Sequence, residues 1–208
     1  TILVAGRLTV QGTSSDPVLL ESIIGNHDGI VFNSSSSGLG SKIENLTITD
    51  AEWGVTIYDS DPTLNDLRVV NADRVAVDLF DGASPRINDL VIDGGGQDLH
   101  GISTSWRYGI GLSVGAYSAP IVNGMIADGL ITRAVNYWGN SGGLVSNLQI
   151  SNVSGATLAI AACRAGPLAG SAGTNPAPRA TVQCGQPRRW RRRHGRGRRV
   201  APVLGLLR

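Results

Sequence analysis

The sequence predicts an all-β chain of stacked short strands, and three observations support this prediction. A block of nine residues recurs about every 22 residues, short runs alternate apolar with polar residues, and glycine accounts for 28 of 208 residues. Repeats at periods of roughly 20 to 50 residues are typical of solenoids, in which each repeat packs on its neighbours. Alternation favours strands, and glycine favours the tight turns between them.

The repeat consists of five blocks that align without gaps and begin at Ile43, Leu64, Ile87, Val122 and Val145. The fourth residue of each block is leucine or methionine, and the sixth is isoleucine, valine or alanine. Successive blocks are separated by 21, 23, 35 and 23 residues, so the longest separation equals one period plus an insertion of 12 residues. The period therefore continues through the insertion.

Each block is predicted to contain a bend. Its apolar positions change parity between the first and fourth residues, and the second or third residue is Asn or Asp in most copies. Asn and Asp tolerate left-handed backbone and bond their own backbone, which suits a sharp corner. A second alternating run precedes the blocks and begins at Val55, Val77, Leu112 and Val135. Each repeat is therefore expected to hold three short strands.

This pattern resembles the right-handed parallel β-helix, from about Ile2 to Ile160. The opening stretch ILVAGRLTVQGTSSDPVLLES is similar to the first turn of secreted and surface β-helix repeat proteins of bacteria and archaea, where a Gly-Thr turn precedes Asp-Pro. The resemblance implies a pectate-lyase-like, single-stranded solenoid of about six turns over residues 1–162, with strands about 4.8 Å apart. It also implies an extracellular or cell-surface location. Leucine-rich repeats share the period, but their Leu-x-x-Leu-x-Leu spacing and helix-length pattern are missing.

Residues 163–208 form a segment of different composition. Residues 1–162 carry 7 basic and 16 acidic side chains, a net charge of −9, whereas residues 163–208 carry eleven arginines and no acid. Arg, Gly, Ala and Pro make up 29 of these 46 residues, and the block expected near Leu168 is missing. We expect this basic tail to be disordered, because it has little apolar surface to bury.

Two other origins of the tail stay open. Its amino acids share GC-rich codons, so a translation shifted out of frame would look the same. An arginine-rich arm that binds nucleic acid is the other alternative. The segment has no helix period, no interleaved aromatic residues beyond Trp190 and no recognised nucleic-acid motif, which argues against such an arm.

Three further features set limits on the class of protein. Cys163 and Cys184, the two cysteines, both lie in the tail and provide neither a disulfide framework nor a zinc-ligand spacing. The chain begins at Thr1 without a charged-then-apolar leader, so we expect a signal peptide to be absent or removed. The longest apolar run is too short to span a bilayer. We expect the chain to be a fragment of a longer protein.

The main candidate binding surface is the outward face of the first strand in each repeat. Thr56, Asp78, Ser113 and Asn136 are predicted to face outward, followed by an outward column of Tyr58, Phe80, Gly115 and Trp138. Aromatic rings pack on the apolar faces of sugars. The carbohydrate-binding candidates are Tyr58, Phe80, Trp138, Trp106 and Asn136. Gly115 is expected to leave a notch between Phe80 and Trp138. The alternative is that these aromatics only cover the corner.

Catalytic candidates come from the same face and from the insertion, which lies in a loop at about residues 93–110. The polysaccharide lyases and glycoside hydrolases that the fold resembles place their site on this strand face and its flanking loops. That resemblance makes Asp78, Asp98, His100 and Arg107 candidates for acid, base and carboxylate-binding roles. The signatures of those enzymes, paired aspartates followed by Gly-His-Gly or an Arg-x-x-x-Arg pair, do not occur.

A calcium ion is the one cofactor that the sequence suggests. Asp59, Asp61 and Asp81 are predicted to lie one turn apart in one corner, where hard oxygen ligands could share the ion. Acidic corners of this kind are commonly just solvated.

The sequence favours a non-enzymatic secreted or cell-surface module that is structural or contacts carbohydrate. Its expected partner is a polysaccharide or cell-surface glycan. The alternative is a polysaccharide lyase or glycoside hydrolase that uses the outward strand face and the insertion loop.

Overall fold

Strands account for nearly all the regular structure. A computed structural model describes residues 1–21, 27–96, 109–160 and 180–184, with residues 156–160 and 180–184 described by their backbone alone. The strands are β1 (Ile2–Val4), β2 (Thr9–Gln11), β3 (Val18–Leu20), β4 (Ile30–Phe32), β5 (Lys42–Thr49), β6 (Trp53–Tyr58), β7 (Thr63–Ala72), β8 (Val75–Phe80), β9 (Arg86–Gly95), β10 (Ile110–Val114), β11 (Ile121–Leu130), β12 (Arg133–Tyr137), β13 (Gly143–Ser151), β14 (Ala156–Ile160) and β15 (Ala180–Cys184).

Helix is nearly absent from these ranges. One 3-10 turn at Ser34–Ser36 is the only helical element in the part of the chain that the structure describes. No helix there is long and apolar enough to cross a membrane.

The strands form two sheets. The first has the order β1-β4-β6-β8-β10-β12-β14, and the second has the order β2-β5-β7-β9-β11-β13-β15, with β3 also paired to β5. Every pair is parallel except β13 with β15. From β4 to β14 the chain alternates between the sheets and pairs with the strand one coil earlier. The all-β prediction is confirmed, and the arrangement is that of a parallel β-solenoid.

The strand register matches the sequence repeat. The first residues of the aligned blocks pair in succession, Ile43 with Leu64, then Ile87, Val122 and Val145. The insertion lies between β9 and β10, and it leaves the pairing of β9 with β11 intact. The period read from the sequence is therefore the residue count of one coil.

Three columns of left-handed residues bend each coil. The first, inside the long strands of the second sheet, has φ between 49° and 83° and consists of Asn45, Asp66, Asp89, Gly124 and Asn147. The second consists of Asp50, Asn71, Gly94, Gly129 and Asn152, and the third of Asp59, Asp81, Ala116 and Gly139. Left-handed backbone costs most L-residues about 1–2 kcal/mol, whereas Gly, Asn and Asp visit it routinely. The predicted bend is confirmed at the first column.

The number of strands per coil differs from the expectation. The sequence predicts three short strands, whereas the structure joins the second and third into one strand of eight to ten residues. The bend reverses side-chain parity, so that Leu64 and Leu67 are both buried. Cα pairing continues on both sides of the bend, and the backbone ladder therefore makes one strand of the two segments.

The core consists of inward columns of aliphatic residues between the two sheets. The residues that alternate with the predicted outward positions of the first sheet all have 0% exposure, and they are Val55, Ile57, Val77, Leu79, Leu112, Val114, Val135 and Tyr137. Burial of such side chains contributes roughly 1.5–3 kcal/mol each. This core holds the outward side chains of the first sheet in fixed columns.

The tail prediction needs one correction. The sequence predicts that residues 163–208 are disordered, but Ala180–Cys184 forms β15, which pairs antiparallel with β13. An exposed edge leaves a row of N–H and C=O groups without partners, and β15 covers part of the edge of β13, at Gly143–Val145 and Leu148. The rest of the predicted tail, 163–179 and 185–208, lies outside the described residues, and the boundary at residue 162 stays a prediction.

Candidate functional site

The outward face of the first sheet carries the polar column that the sequence singled out. Thr56 pairs with Asp78, Asp78 with Ser113, and Ser113 with Asn136. All four are largely withdrawn from water, with exposures of 6%, 1%, 4% and 4% in the same order. A carboxylate with 1% exposure among hydroxyl and amide groups is the most unusual member of this column, because a charge is costly to bury.

An aromatic row runs beside the polar column. The rings of Tyr58 and Phe80 stack with centroids 5.1 Å apart and planes at 14°, and Phe80 meets Trp138 edge to face at 5.8 Å and 72°. Both arrangements are favourable for aromatic pairs. Tyr58 keeps 38% of its surface exposed, so the row ends at a solvent-accessible ring.

The notch expected at Gly115 is filled by Trp138. A Cβ atom on Gly115 would lie 2.1 Å from Cε2 of the indole, so the ring lies directly over the glycine backbone. The Trp138 Nε1–H donates to Ser113 Oγ at 3.3 Å. The notch prediction was wrong because an indole one coil away is large enough to cover the space that glycine leaves.

A surface groove of about 210 Å³ lies where β4, β6 and β8 meet the aromatic row. It is lined by Asp28, Val31, Trp53, Thr56, Tyr58, Asp78 and Phe80. Two carboxylates and three aromatic rings therefore face one concavity, and none of the described residues that line it is basic. Pockets for drug-sized ligands have volumes of roughly 300–1,000 Å³, so this groove suits a single ring-sized group.

Three lining residues, Asp28, Val31 and Trp53, were missed by the sequence analysis. Asp28 precedes Ile30 by two residues as Trp53 precedes Val55, and Ile30 pairs with Val55. Trp53 itself pairs with Val75 in the next coil. Extending the first strand predicted from Val55 by two residues toward its N-terminus would have included Trp53, whereas the sequence analysis identified no first strand next to Asp28.

Asp28 and Trp53 each contact a neighbouring side chain. Thr1 Oγ1 donates to Asp28 Oδ2 at 3.1 Å. The Arg74 guanidinium lies 4.7 Å from the centre of the Trp53 ring, and its Nε is 2.5 Å from Glu52 Oε1. Arg74 thus covers Trp53 with a cation whose charge is balanced by Glu52.

The structure brings some predicted site residues together and separates others. Tyr58, Phe80 and Asp78 line the groove. Trp138 joins the aromatic row but does not line the groove, and Asn136 lies in the polar column, where Arg133 Nη1 donates to its Oδ1 at 3.5 Å. Asp98, His100, Trp106 and Arg107 fall within 97–108, outside the described residues.

The three aspartates proposed for calcium do not form a metal-binding group. Asp59 and Asp81 occupy the third left-handed column, while Asp61 Oδ1 accepts a hydrogen bond from the Gly38 N–H at 2.7 Å. Across the described ranges, no three His, Cys, Asp or Glu side chains are placed to hold a metal ion together.

Comparison with known proteins gives no match: no family model, no curated protein and no solved structure resembles the chain significantly. A function must therefore be inferred from the groove and its lining residues.

Proposed function

We propose that the chain is a non-enzymatic carbohydrate-contacting module that holds one sugar ring of a polysaccharide or cell-surface glycan in the groove. The observation that supports this most is the stacked pair of Tyr58 and Phe80 beside Asp78. The faces that Tyr58 and Phe80 turn toward each other are covered by their stacking, so the exposed part of the Tyr58 ring is the surface that can pack on the apolar face of a sugar. The Asp78 carboxylate and the Thr56 hydroxyl can accept hydrogen bonds from sugar hydroxyls and so orient the ring.

The proposal includes a finer description of the fold. We assign the solenoid to the right-handed, single-stranded, pectate-lyase-like β-helices with about six turns, secreted or displayed at a cell surface. The strand register that repeats with the sequence blocks supports this assignment. Solenoids present the same strand positions coil after coil, which suits an extended polymer.

Cleavage of the bound glycan is a second candidate function, and one observation favours it. Asp28 and Asp78 both line the groove. Glycoside hydrolases use two carboxylates that flank the scissile bond, one as general acid and the other as base or nucleophile. In this alternative, Asp98, His100 and Arg107 of the insertion would add acid, base and carboxylate-binding groups.

Glycan binding by groove variants tests the proposal. We expect immobilised neutral and charged glycans to include at least one ligand, and Tyr58→Ala and Phe80→Ala to weaken it about tenfold, equivalent to ~1.4 kcal/mol. Tyr117→Ala is the matched control, because Tyr117 is 63% exposed and does not line the groove. Binding that is the same in the groove variants and the control would overturn the proposal.

Product analysis separates the module from the enzyme. The glycans that bind are incubated with the chain and assayed for new reducing ends and unsaturated products. Products that disappear in Asp28→Asn and Asp78→Asn would establish cleavage. If no bound glycan gives products, the enzymatic candidate is refuted and the binding module stands.

A further inference from the structure

We infer that the groove selects a positively charged sugar, one with a free protonated amine, over neutral and carboxylate-bearing sugars. The inference rests on the proposed function and adds the chemical class of the ligand. Three independent features of the described residues support it: the charges that line the groove, its aromatic rings and the charge of the surrounding surface.

Among the described residues that line the groove, every charged side chain is negative. Asp78, with 1% exposure, and the partly buried Asp28 both line the groove. Attraction between opposite charges is several times stronger at a partly dehydrated protein surface than in bulk water. A sugar ammonium would be attracted by both carboxylates, whereas a uronate would bring a third negative charge to them.

The aromatic rings favour the same ligand. Trp53, Tyr58 and Phe80 line the groove together, and the faces of such rings attract cations. Trp53 already binds one cation within the protein, the Arg74 guanidinium at 4.7 Å. Arg74 does not line the groove, and its Nε is paired with Glu52.

The residues around the groove belong to a segment with a net negative charge, which would attract a cation toward the groove. Residues 1–162 carry a net charge of −9, and the eleven arginines of residues 163–208 bring the full chain to +2. Any steering of a cation therefore comes from residues 1–162 and not from the chain as a whole. A surface of one sign raises the local concentration and the association rate of ligands of opposite sign. Stacking alone would not distinguish an amine from an acetamide on the same sugar ring. A preference for the amine would therefore show that the groove carboxylates contribute to binding.

The test compares oligosaccharides that differ in one group. Binding of the full chain to a chitosan tetramer, which has free amines, is measured by calorimetry against the N-acetylated chitin tetramer and a galacturonate tetramer. The measurement is made in low salt and at a pH below the pKa of the sugar amine, so that the amine is protonated. We expect the chitosan tetramer to bind about tenfold or more tightly than the other two, and added salt to reduce that preference.

Variants that remove one charge test whether the groove carboxylates cause the preference for the chitosan tetramer. Asp28→Asn and Asp78→Asn should each reduce the preference for chitosan severalfold. Asp89→Asn is the matched control, because Asp89 is an exposed carboxylate of the second sheet and Asn45 and Asn147 occupy the same corner column. If the buried Asp78→Asn variant does not fold, Asp28→Asn, whose side chain is partly exposed, carries the test alone.

Each outcome decides a different point. Equal binding of the chitosan and chitin tetramers overturns the charge selection and leaves the carbohydrate-contacting function standing. A preference that Asp89→Asn reduces as much as Asp28→Asn reflects general attraction to an acidic surface, and it also overturns the inference. Failure of all three oligosaccharides and of every glycan in the wider screen overturns the proposed function itself.

Discussion

The indole of Trp138 occupies the space in which a side chain of Gly115 would stand. A Cβ atom at residue 115 would lie 2.1 to 2.5 Å from three atoms of that ring. The indole is held there by its hydrogen bond to Ser113 Oγ and by the edge contact with Phe80. A residue without a side chain thus allows the aromatic row to continue across β10, which contributes no ring.

Gly115→Ala should therefore displace the indole. We expect the bond from Trp138 to Ser113 to break or lengthen and the free energy of unfolding to fall by about 1–3 kcal/mol, as overpacking usually causes. The indole N–H resonance, assigned through Trp138→Phe, reports the displacement. Gly6→Ala is the control, because a Cβ there meets no atom within 4 Å. An unshifted Trp138 resonance would contradict the geometry.

The left-handed backbone at Asp89 predicts which substitutions of this residue lower the stability. Its φ is 55°, a region that asparagine accepts and β-branched residues avoid. Asp89→Val should lower the free energy of unfolding by about 1–2 kcal/mol or more, whereas Asp89→Asn should leave it nearly unchanged. Urea denaturation of the two variants measures the difference. Equal stability of Val and Asn would show that residue 89 leaves the left-handed region at little cost.

Tyr137 predicts a stabilising substitution. Its ring has 0% exposure, and its hydroxyl has no hydrogen-bond partner among the described residues. A buried hydroxyl without a partner costs about 1–3 kcal/mol, so Tyr137→Phe should raise the free energy of unfolding by up to that amount. Denaturation at neutral pH measures this. A loss of stability in Tyr137→Phe would mean that the hydroxyl makes a favourable contact.

Alkaline pH should increase the difference in the free energy of unfolding between the native chain and Tyr137→Phe. Burial raises the pKa of Tyr137 above its ordinary value of 10.0. The unfolded chain then loses this proton first, so the stability is complete below pH 10.0 and falls as the pH rises above it. Tyr137→Phe should lack this part of the loss of stability at alkaline pH. Parallel pH curves for the two proteins above that pH would refute the prediction.

The hydrogen bonds to Asp128 predict a change in its pKa when a donor is removed. Hydrogen bonds from Ser151 Oγ at 2.6 Å and Asn152 Nδ2 at 2.8 Å lower the pKa of this carboxyl below its ordinary value of 3.8. Ser151→Ala should raise that pKa toward 3.8, measured by NMR titration of the Asp128 side chain. The stabilisation in the native chain is present above pH 3.8 and is lost as the pH falls through the lowered pKa. Ser146→Ala, which removes a donor to Val122 and Asn123, should leave the Asp128 titration unchanged.

The repeat register and the first corner column were predictable from the sequence, because both depend on a local pattern that recurs. Residues one period apart occupy the same position in successive coils, so aligning Leu64 with Ile87 also predicts that they pair. The corner at Asp66 follows from a change of parity within three residues. In both cases the physical cause lies within one repeat, and the neighbouring repeats only copy it.

The groove was decided by the tertiary structure. Asp28, Trp53 and Asp78 are distant in the sequence, and the first precedes a strand, β4, that the sequence analysis did not identify. They face one concavity because three successive coils stack in register. The position of Trp138 over Gly115 and the antiparallel pairing of β15 with β13 likewise join residues more than 20 positions apart. A sequence period predicts which residues share a column, but it does not predict the direction of a side chain across columns, because packing against other coils selects that rotamer.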